Sequence, residues 1–143
     1  WRHLRDRVPH PYTVDDAKGW IARTRDESPP RNLAVTLDGR VVGGIGIEPL
    51  ADVARFTTEL GYWLDPREWG HGYASEAVAA FVDWVFATSP CERIQAWVFV
   101  PNAGSQRVLE KCGFRLEGTA RRSVHKDGRF LDSWLYGRLR SDR

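Results

Sequence analysis

The fold is decided by residues 56–87, which read FTTELGYWLDPREWGHGYASEAVAAFVDWVFA. Residues 56–64 form a β-rich run, and a turn that contains Gly70 and Gly72 follows it. Over residues 73–87 the apolar side chains recur at the i, i+3 and i+4 spacing of an amphipathic helix. The stretch therefore predicts a strand, a glycine-rich turn and a helix whose first N–H groups can bind a phosphate.

The elements on both sides of this junction predict one domain over residues 1–143. Asp-Gly pairs at 38–39 and 127–128 each separate two apolar runs, which indicates a β-hairpin near each end. The element order α-ββ-β-α-β-α-ββ predicts an α/β fold with a mixed, mostly antiparallel sheet and helices on both faces. The predicted helices are 13–25, 73–87 and 102–111, and the predicted strands are 32–37, 40–47, 56–64, 94–100, 114–125 and 129–139.

The composition argues against several classes of function. The chain has 21 Lys and Arg residues against 19 Asp and Glu, a net charge of +2, which is too balanced to predict nucleic acid or a membrane surface as partner. No apolar run approaches the ~20 residues that cross a bilayer. Cys91 and Cys112 form no C-x-x-C pair, and two cysteines are too few to predict a disulfide framework, so we expect a reducing, cytoplasmic location. We also expect no metal site. We expect a monomer or a homodimer.

The glycine turn by itself leaves the ligand open. The stretch GHGYAS at 70–75 nearly matches the dinucleotide pattern G-x-G-x-x-G, but Ser75 stands at the third glycine. A dinucleotide site also needs an acidic residue after the next strand, about 20 residues on, and the residue nearest to that position, Glu92, precedes the strand. A coenzyme diphosphate, a dinucleotide and a tight turn without a ligand all fit this motif.

Two motifs together resemble one family. Arg67-x-x-Gly70-x-Gly72 matches the signature [QR]-x-x-G-x-[GA] of the GCN5-related N-acetyltransferases, the GNAT superfamily. A second block, NAGSQRVLEKCGF at 102–114, is typical of the branch that includes the ribosomal-protein N-terminal acetyltransferases, as is DSWLY at 132–136. The resemblance covers about residues 13–139 and implies the GNAT fold, with a central β-α-β site for acetyl-CoA as co-substrate.

The family's usual first strand has no counterpart in this sequence. The chain begins with Trp1, so we expect the natural N-terminus to lie upstream. Residues 1–12 are predicted to form a helix remnant followed by a loop. The cofactor half of the fold is expected to be intact, and the walls of the acceptor site are less well defined.

The resemblance implies a set of residues that hold coenzyme A. Main-chain N–H groups at the glycine turn bind the diphosphate, and the main chain of Trp63 and Leu64, in the strand before the turn, pairs with the pantetheine arm. Asn102 and Ser105 contact that arm from the other side. A plain helix cap is an alternative role for Asn102. The predicted cofactor-binding residues are Trp63, Leu64, Arg67, Trp69, Gly70, His71, Gly72, Tyr73, Ala74, Asn102 and Ser105.

Acetyl transfer to an amine needs a base and, for the thiolate, an acid. Glu59 is the predicted base because it alternates with Gly61 and Trp63 on one face of the strand that leads to the turn. A rim carboxylate in a salt bridge is the structural alternative for Glu59. Ser105 or Tyr136 is the predicted acid, although core packing also explains Tyr136.

Other reactive side chains are weaker candidates. His125 adjoins a Lys-Asp-Gly turn, which indicates a solvated histidine. Cys112 lies among apolar residues of a predicted helix face, which indicates a buried, inert thiol.

The predicted function is transfer of the acetyl group of acetyl-CoA to a primary amine, by direct attack in a ternary complex. The acceptor is a protein N-terminus or a small amine. A non-catalytic acyl-CoA-binding or sensing module on the same fold is the alternative, and a dinucleotide-binding domain is a third.

Overall fold

The computed structural model describes residues 2–142, which form a six-stranded sheet and three α-helices. Every helix and strand predicted between residues 13 and 139 is present, with ends within a few residues of the predicted ones. The helices are α1 (Val14–Thr24), α2 (Tyr73–Thr88) and α3 (Ala103–Lys111), and the strands are β1 (Asn32–Leu37), β2 (Arg40–Pro49), β3 (Thr57–Leu64), β4 (Arg93–Phe99), β5 (Arg115–Lys126) and β6 (Arg129–Leu139).

The sheet has the order β1-β2-β3-β4-β6-β5 and is mixed, as predicted. The β1–β2, β2–β3, β4–β6 and β5–β6 pairs are antiparallel, and β3–β4 is parallel. The parallel pair is joined through α2, since strands that run in the same direction need a crossover connection. This places the glycine turn at the carboxyl end of β3, beside the carboxyl end of β4.

The parallel pairing of β3 with β4 ends after three residue pairs. It runs from Thr57 opposite Arg93 to Glu59 opposite Gln95. Beyond that point β3 stays paired with β2 as far as Leu64, and β4 stays paired with β6 as far as Phe99. The two strands therefore diverge, and we call the gap between residues 60–64 and residues 96–99 the fork.

The hydrophobic core lies on one face of the sheet. Side chains of α2, α3 and four strands form one cluster there, and apolar burial of this kind is the main stabilising contribution to a fold. Its fully buried members with the largest side chains include Tyr136, Ile94, Leu109, Val78, Val82 and Val85.

The predicted helix remnant at the front of the chain is wrong for the residues that the structure describes. Residues 2–12 form turns and bends instead. Pro9 and Pro11 disfavour helical backbone at the residues before them. Ion pairs with the sheet, rather than helical hydrogen bonds, hold this N-terminal segment. Residue 1 lies outside the described residues.

No helix within residues 2–142 has the length and apolar character needed to cross a membrane.

Leu109 provides a test of the core. Its side chain is fully buried between α3 and the sheet, so Leu109→Ala is expected to lower the free energy of unfolding by about 2–5 kcal/mol. Leu116→Ala is the matched control, because Leu116 is 51% exposed, and the expected change is within about 0.5 kcal/mol. Urea denaturation measures both values, and equal losses would contradict this description of the core.

Candidate active site

The turn between β3 and α2 has an exposed backbone. Gly70 (φ +83°) and Gly72 (φ +88°) adopt left-handed conformations that a side chain would strain. A Cβ added at either glycine would contact nothing within 4 Å, so the space above the turn is open. Gly72 is also the N-cap of α2 and provides no side chain to bind the first helical N–H groups.

The first turn of α2 therefore keeps its hydrogen-bond donors unused. Within residues 2–142, no group accepts from the main-chain N–H of residues 70–75, and the first intrahelical bond of α2 is Glu76 N to Gly72 O, at 3.0 Å. The other two helices differ, because Thr13 caps α1 and Asn102 caps α3 with side-chain oxygens. A helix N-terminus in this state carries partial positive charge and binds anions.

The turn itself is held by polar contacts. The Asp65 carboxylate accepts from Arg67 N at 3.0 Å and from the Arg67 guanidinium at 2.6 Å. Those hydrogen bonds from Arg67 lower the pKa of Asp65 to about 2. Trp69 Nε1 donates to Leu64 O at 2.9 Å and so fixes the turn to the end of β3.

The main-chain N–H and C=O groups of β3 point alternately to β2 and to the opposite side of the strand. Asp65 N donates to Val42 O at 2.8 Å, and Leu50 N to Thr57 O at 3.0 Å, so the odd-numbered residues direct their main chain to β2. By alternation, Leu60, Tyr62 and Leu64 direct theirs into the fork. Our prediction for the pantetheine arm named the main chain of Trp63 and Leu64. The Trp63 main chain points to β2 instead, and its indole covers Gly44.

The first turn of α3 follows the end of β4 and lies on the β4 side of the fork. Asn102 Oδ1 accepts from Ser105 N at 3.1 Å, and Asn102 Nδ2 donates to Ser105 Oγ at 3.0 Å. The cap that the sequence suggested for Asn102 is therefore present. In residues 2–142, no group accepts the Ser105 hydroxyl hydrogen, which leaves this O–H as a donor at the mouth of the fork.

Tyr62, which is not among the residues predicted from the sequence, links β3 to the first turn of α3. Its hydroxyl donates to Ser105 O at 3.2 Å, across 43 positions of sequence. Burial raises the pKa of Tyr62 to about 12. A tyrosine two positions after the buried Leu60 was a signal for this contact, since it shares the core-facing side of β3 and a buried phenol needs a partner.

Glu59 lies at the base of the fork, on the face of β3 opposite Leu60 and Tyr62. It belongs to the last β3–β4 pair, and its side chain is 17% exposed. Arg5 Nη2 forms an ion pair with Glu59 Oε1, a contact across 54 positions that no local pattern predicts. Gly61 follows on the same face, and a Cβ there would contact nothing within 4 Å. The carboxylate thus borders open space beside the fork.

The structure separates Tyr136 from this group. Its side chain has 0% exposure, and its hydroxyl donates to Glu110 Oε1 at 3.2 Å. The core position gives no support to our prediction that Tyr136 protonates a thiolate.

Cys112 is buried, and its Sγ donates to Ser75 O at 3.3 Å; burial raises the pKa of its thiol. His125 is exposed and packs against Phe130.

The remaining predicted cofactor residues lie in the turn between β3 and α2 and in the first turn of α2. His71 is exposed and stacks on Tyr73, with 5.6 Å between ring centroids. Trp69 is 58% exposed, and the Arg67 guanidinium lies at the surface. Ala74 belongs to the first turn of α2, so its small side chain leaves the helix end accessible.

Within residues 2–142, no three His, Cys, Asp or Glu side chains are grouped so that they could hold a metal ion.

The sequence matches a known family over residues 1–115, which is described as the acetyltransferase (GNAT) domain. The chain belongs to the GNAT family. GNAT enzymes are acyltransferases that use acetyl-CoA. The predicted family and enzyme class are confirmed.

The relatives of this GNAT chain agree with that assignment. It is 36% identical over 136 residues to the probable N-acetyltransferase YjcK of Bacillus subtilis, covering 92% of this chain and 75% of YjcK. It is 28% identical over 135 residues to the L-amino acid N-acetyltransferase AaaT of Escherichia coli, covering 94% of this chain and 81% of AaaT. RimJ of Mycobacterium smegmatis, solved in complex with CoA-disulfide, superposes with a TM-score of 0.78 at 31% identity, covering 95% of this chain and 66% of RimJ. The predicted fold is confirmed.

Tyr62 gives the site an expected pH dependence. The phenol titrates near 10 in the unfolded chain and near 12 when folded, so its contribution to stability is complete below pH 10 and is lost as the pH rises through 12. A pKa difference of this size corresponds to a loss of roughly 2–3 kcal/mol in the free energy of unfolding once the pH has risen above the folded-state pKa. Tyr62→Phe is expected to lower the free energy of unfolding by about 1 kcal/mol at pH 8. Between pH 10 and 12, the unfolding free energy of the variant is expected to fall less than that of the natural protein. Urea denaturation across that range measures the difference, and parallel curves would contradict it.

Proposed function

We propose that this chain transfers the acetyl group of acetyl-CoA to a primary amine by direct attack within a ternary complex. The observation that carries the proposal is the uncapped N-terminus of α2 at the mouth of the fork, with the N–H groups of residues 70–75 unused. An open helix end suits the diphosphate of coenzyme A, and a strand edge suits its amide-bearing arm.

The residues around the fork would hold the donor from three sides. The N–H groups of Gly70, Gly72 and Ala74 bind the diphosphate, and Tyr73 and His71 line the edge of that site. The main-chain groups of Tyr62 and the N–H group of Leu64 pair with the pantetheine arm, as an added strand would, while the Leu64 carbonyl accepts from Trp69 Nε1. Arg67 and Trp69 keep the turn in place, and Asn102 and Ser105 face the arm from α3.

Glu59 takes the proton of the acceptor ammonium, directly or through one water, and the amine then attacks the thioester carbonyl. A main-chain N–H of β3 directed into the fork polarises that carbonyl. The new C–N bond forms as the C–S bond breaks, and the Ser105 hydroxyl donates a proton to the departing sulfur. The acylated nitrogen then gives up its remaining extra proton, which returns to Ser105 directly or through water, so that the products are the neutral amide and the free thiol. We give Tyr136 no part in the reaction because its hydroxyl is bound to Glu110 in the core.

The acceptor is a primary amine, either a small molecule or a protein N-terminus. AaaT is named for L-amino acids, and another relative, from Escherichia coli, is a ribosomal-protein-serine acetyltransferase, 32% identical over 93 residues. Thiol release from acetyl-CoA, screened across amino acids, diamines and short peptides, identifies the acceptor. A module that binds acyl-CoA without catalysis would release no thiol with any of them.

Gly72 tests the binding of the donor. Gly72→Ala places a methyl group in the open space above the turn, so the dissociation constant for coenzyme A is expected to rise at least tenfold. Gly39→Ala is the matched control, because Gly39 (φ +79°) has the same left-handed strain and open surroundings in the β1–β2 turn. Both variants are expected to lose about 1 kcal/mol of stability.

Isothermal titration calorimetry with coenzyme A, NAD and ATP provides the readout for both glycine variants. Equal coenzyme A affinity for Gly72→Ala and Gly39→Ala would remove the turn from the donor site. Binding of NAD or ATP without coenzyme A would end the acetyltransferase proposal.

Glu59 tests the chemistry. Glu59→Gln keeps the size of the side chain and removes the base, so kcat is expected to fall by about 10²–10⁴-fold with coenzyme A affinity unchanged. Glu48→Gln is the matched control, since Glu48 lies opposite Glu59 on β2 and also pairs with an arginine. An undiminished kcat for Glu59→Gln would remove Glu59 from its role.

A further inference from the structure

Three consecutive charged residues of the N-terminal segment reach three different strands. Arg5 pairs with Glu59 of β3, Asp6 pairs with Lys126 at the end of β5, and Arg7 Nη1 lies 2.9 Å from Glu48 Oε2 of β2. β2 and β3 lie on one side of the fork and β5 on the other in the order of the sheet. The segment therefore connects the strands on the two sides of the fork.

The charges explain why the segment lies there. Glu48 and Glu59 are direct cross-strand partners, and like charges in that position repel each other. Arg5 and Arg7 each neutralise one of them. The Lys126 side chain is only 4% exposed, and a buried ammonium is costly without an anionic partner, which Asp6 supplies.

The contact on Glu59 involves one oxygen. Arg5 donates to Oε1, and no group of residues 2–142 donates to Oε2. The open space at Gly61 lies next along the same strand face. An arginine on one carboxylate oxygen fixes the orientation of the group and leaves the second oxygen to accept a proton.

We propose that Arg5 is a positioning residue that aims Oε2 of Glu59 into the acceptor site, and that the Asp6–Lys126 ion pair keeps Arg5 in place. The proposal rests on the proposed role of Glu59. Partly exposed ion pairs contribute little to stability, so the effect of Arg5 is expected in catalysis rather than in folding. A base displaced by about 1 Å can lose on the order of 10²-fold in rate.

Arg5→Gln is expected to lower kcat by about 10–100-fold, with the dissociation constant for acetyl-CoA unchanged in calorimetry and the unfolding free energy within about 1 kcal/mol. Arg5→Lys is expected to recover part of the rate, because an ammonium still pairs with Oε1 but lacks the rigid guanidinium. Asp6→Asn should show a smaller loss of the same kind. Arg7→Gln, which removes the neighbouring ion pair of the same segment, is the matched control and should keep the natural kcat.

A double-mutant cycle separates positioning from general damage. With Glu59→Gln as background, Arg5→Gln is expected to cause no further loss of kcat, since the group it orients is no longer a base. A natural kcat for Arg5→Gln, an equal loss for Arg7→Gln, or an additive loss in the cycle would each overturn the proposal. An undiminished kcat for Glu59→Gln would instead overturn the assignment of the base on which it rests.

Discussion

The early end of the β3–β4 pairing is the constraint on which the site depends. After the Glu59–Gln95 pair the two parallel strands separate, although each keeps its outer neighbour to its end. Separation leaves main-chain groups of β3 without a partner strand, which would be costly in a closed core. Here they border a fork that opens beside the uncapped N-terminus of α2. In the proposed function, an extended, amide-bearing ligand with a diphosphate satisfies both sets of groups at once.

The alternation of side chains along β3 gives the two faces of this strand different surroundings beside the fork. Leu60 and Tyr62 face the core, and the Tyr62 hydroxyl connects β3 to the carbonyl of Ser105 in the first turn of α3. Glu59 and Gly61 face the other side, where a carboxylate meets open space. In the proposed reaction the donor lies between the faces, and the acceptor approaches from the side of Glu59.

The sequence predicted what depends on local pattern. The β–α junction was predictable because glycine spacing and helical periodicity act over a few residues, and the Asn102 cap was predictable for the same reason. The contacts of Tyr62 with Ser105 and of Arg5 with Glu59 were not, because they join residues 43 and 54 positions apart. The direction of the Trp63 main chain depends on the β2 register, and the turns of residues 2–12 depend on ion pairs with distant strands. Tyr136 matched a family strand in sequence, but only the packing against α3 shows its hydroxyl bound to Glu110.

Binding of the coenzyme A diphosphate at the helix end can be followed through the main-chain amides of the fork in a ¹⁵N–¹H NMR titration with coenzyme A. We expect the resonances of residues 70–75 and of Tyr62 and Leu64 to shift together and their amide hydrogens to become protected from exchange. The amides of Thr36 and Val41, which lie in the β1–β2 hairpin, should not change. Binding that leaves the amides of residues 70–75 unshifted and unprotected would contradict the central claim that this open helix end holds the diphosphate.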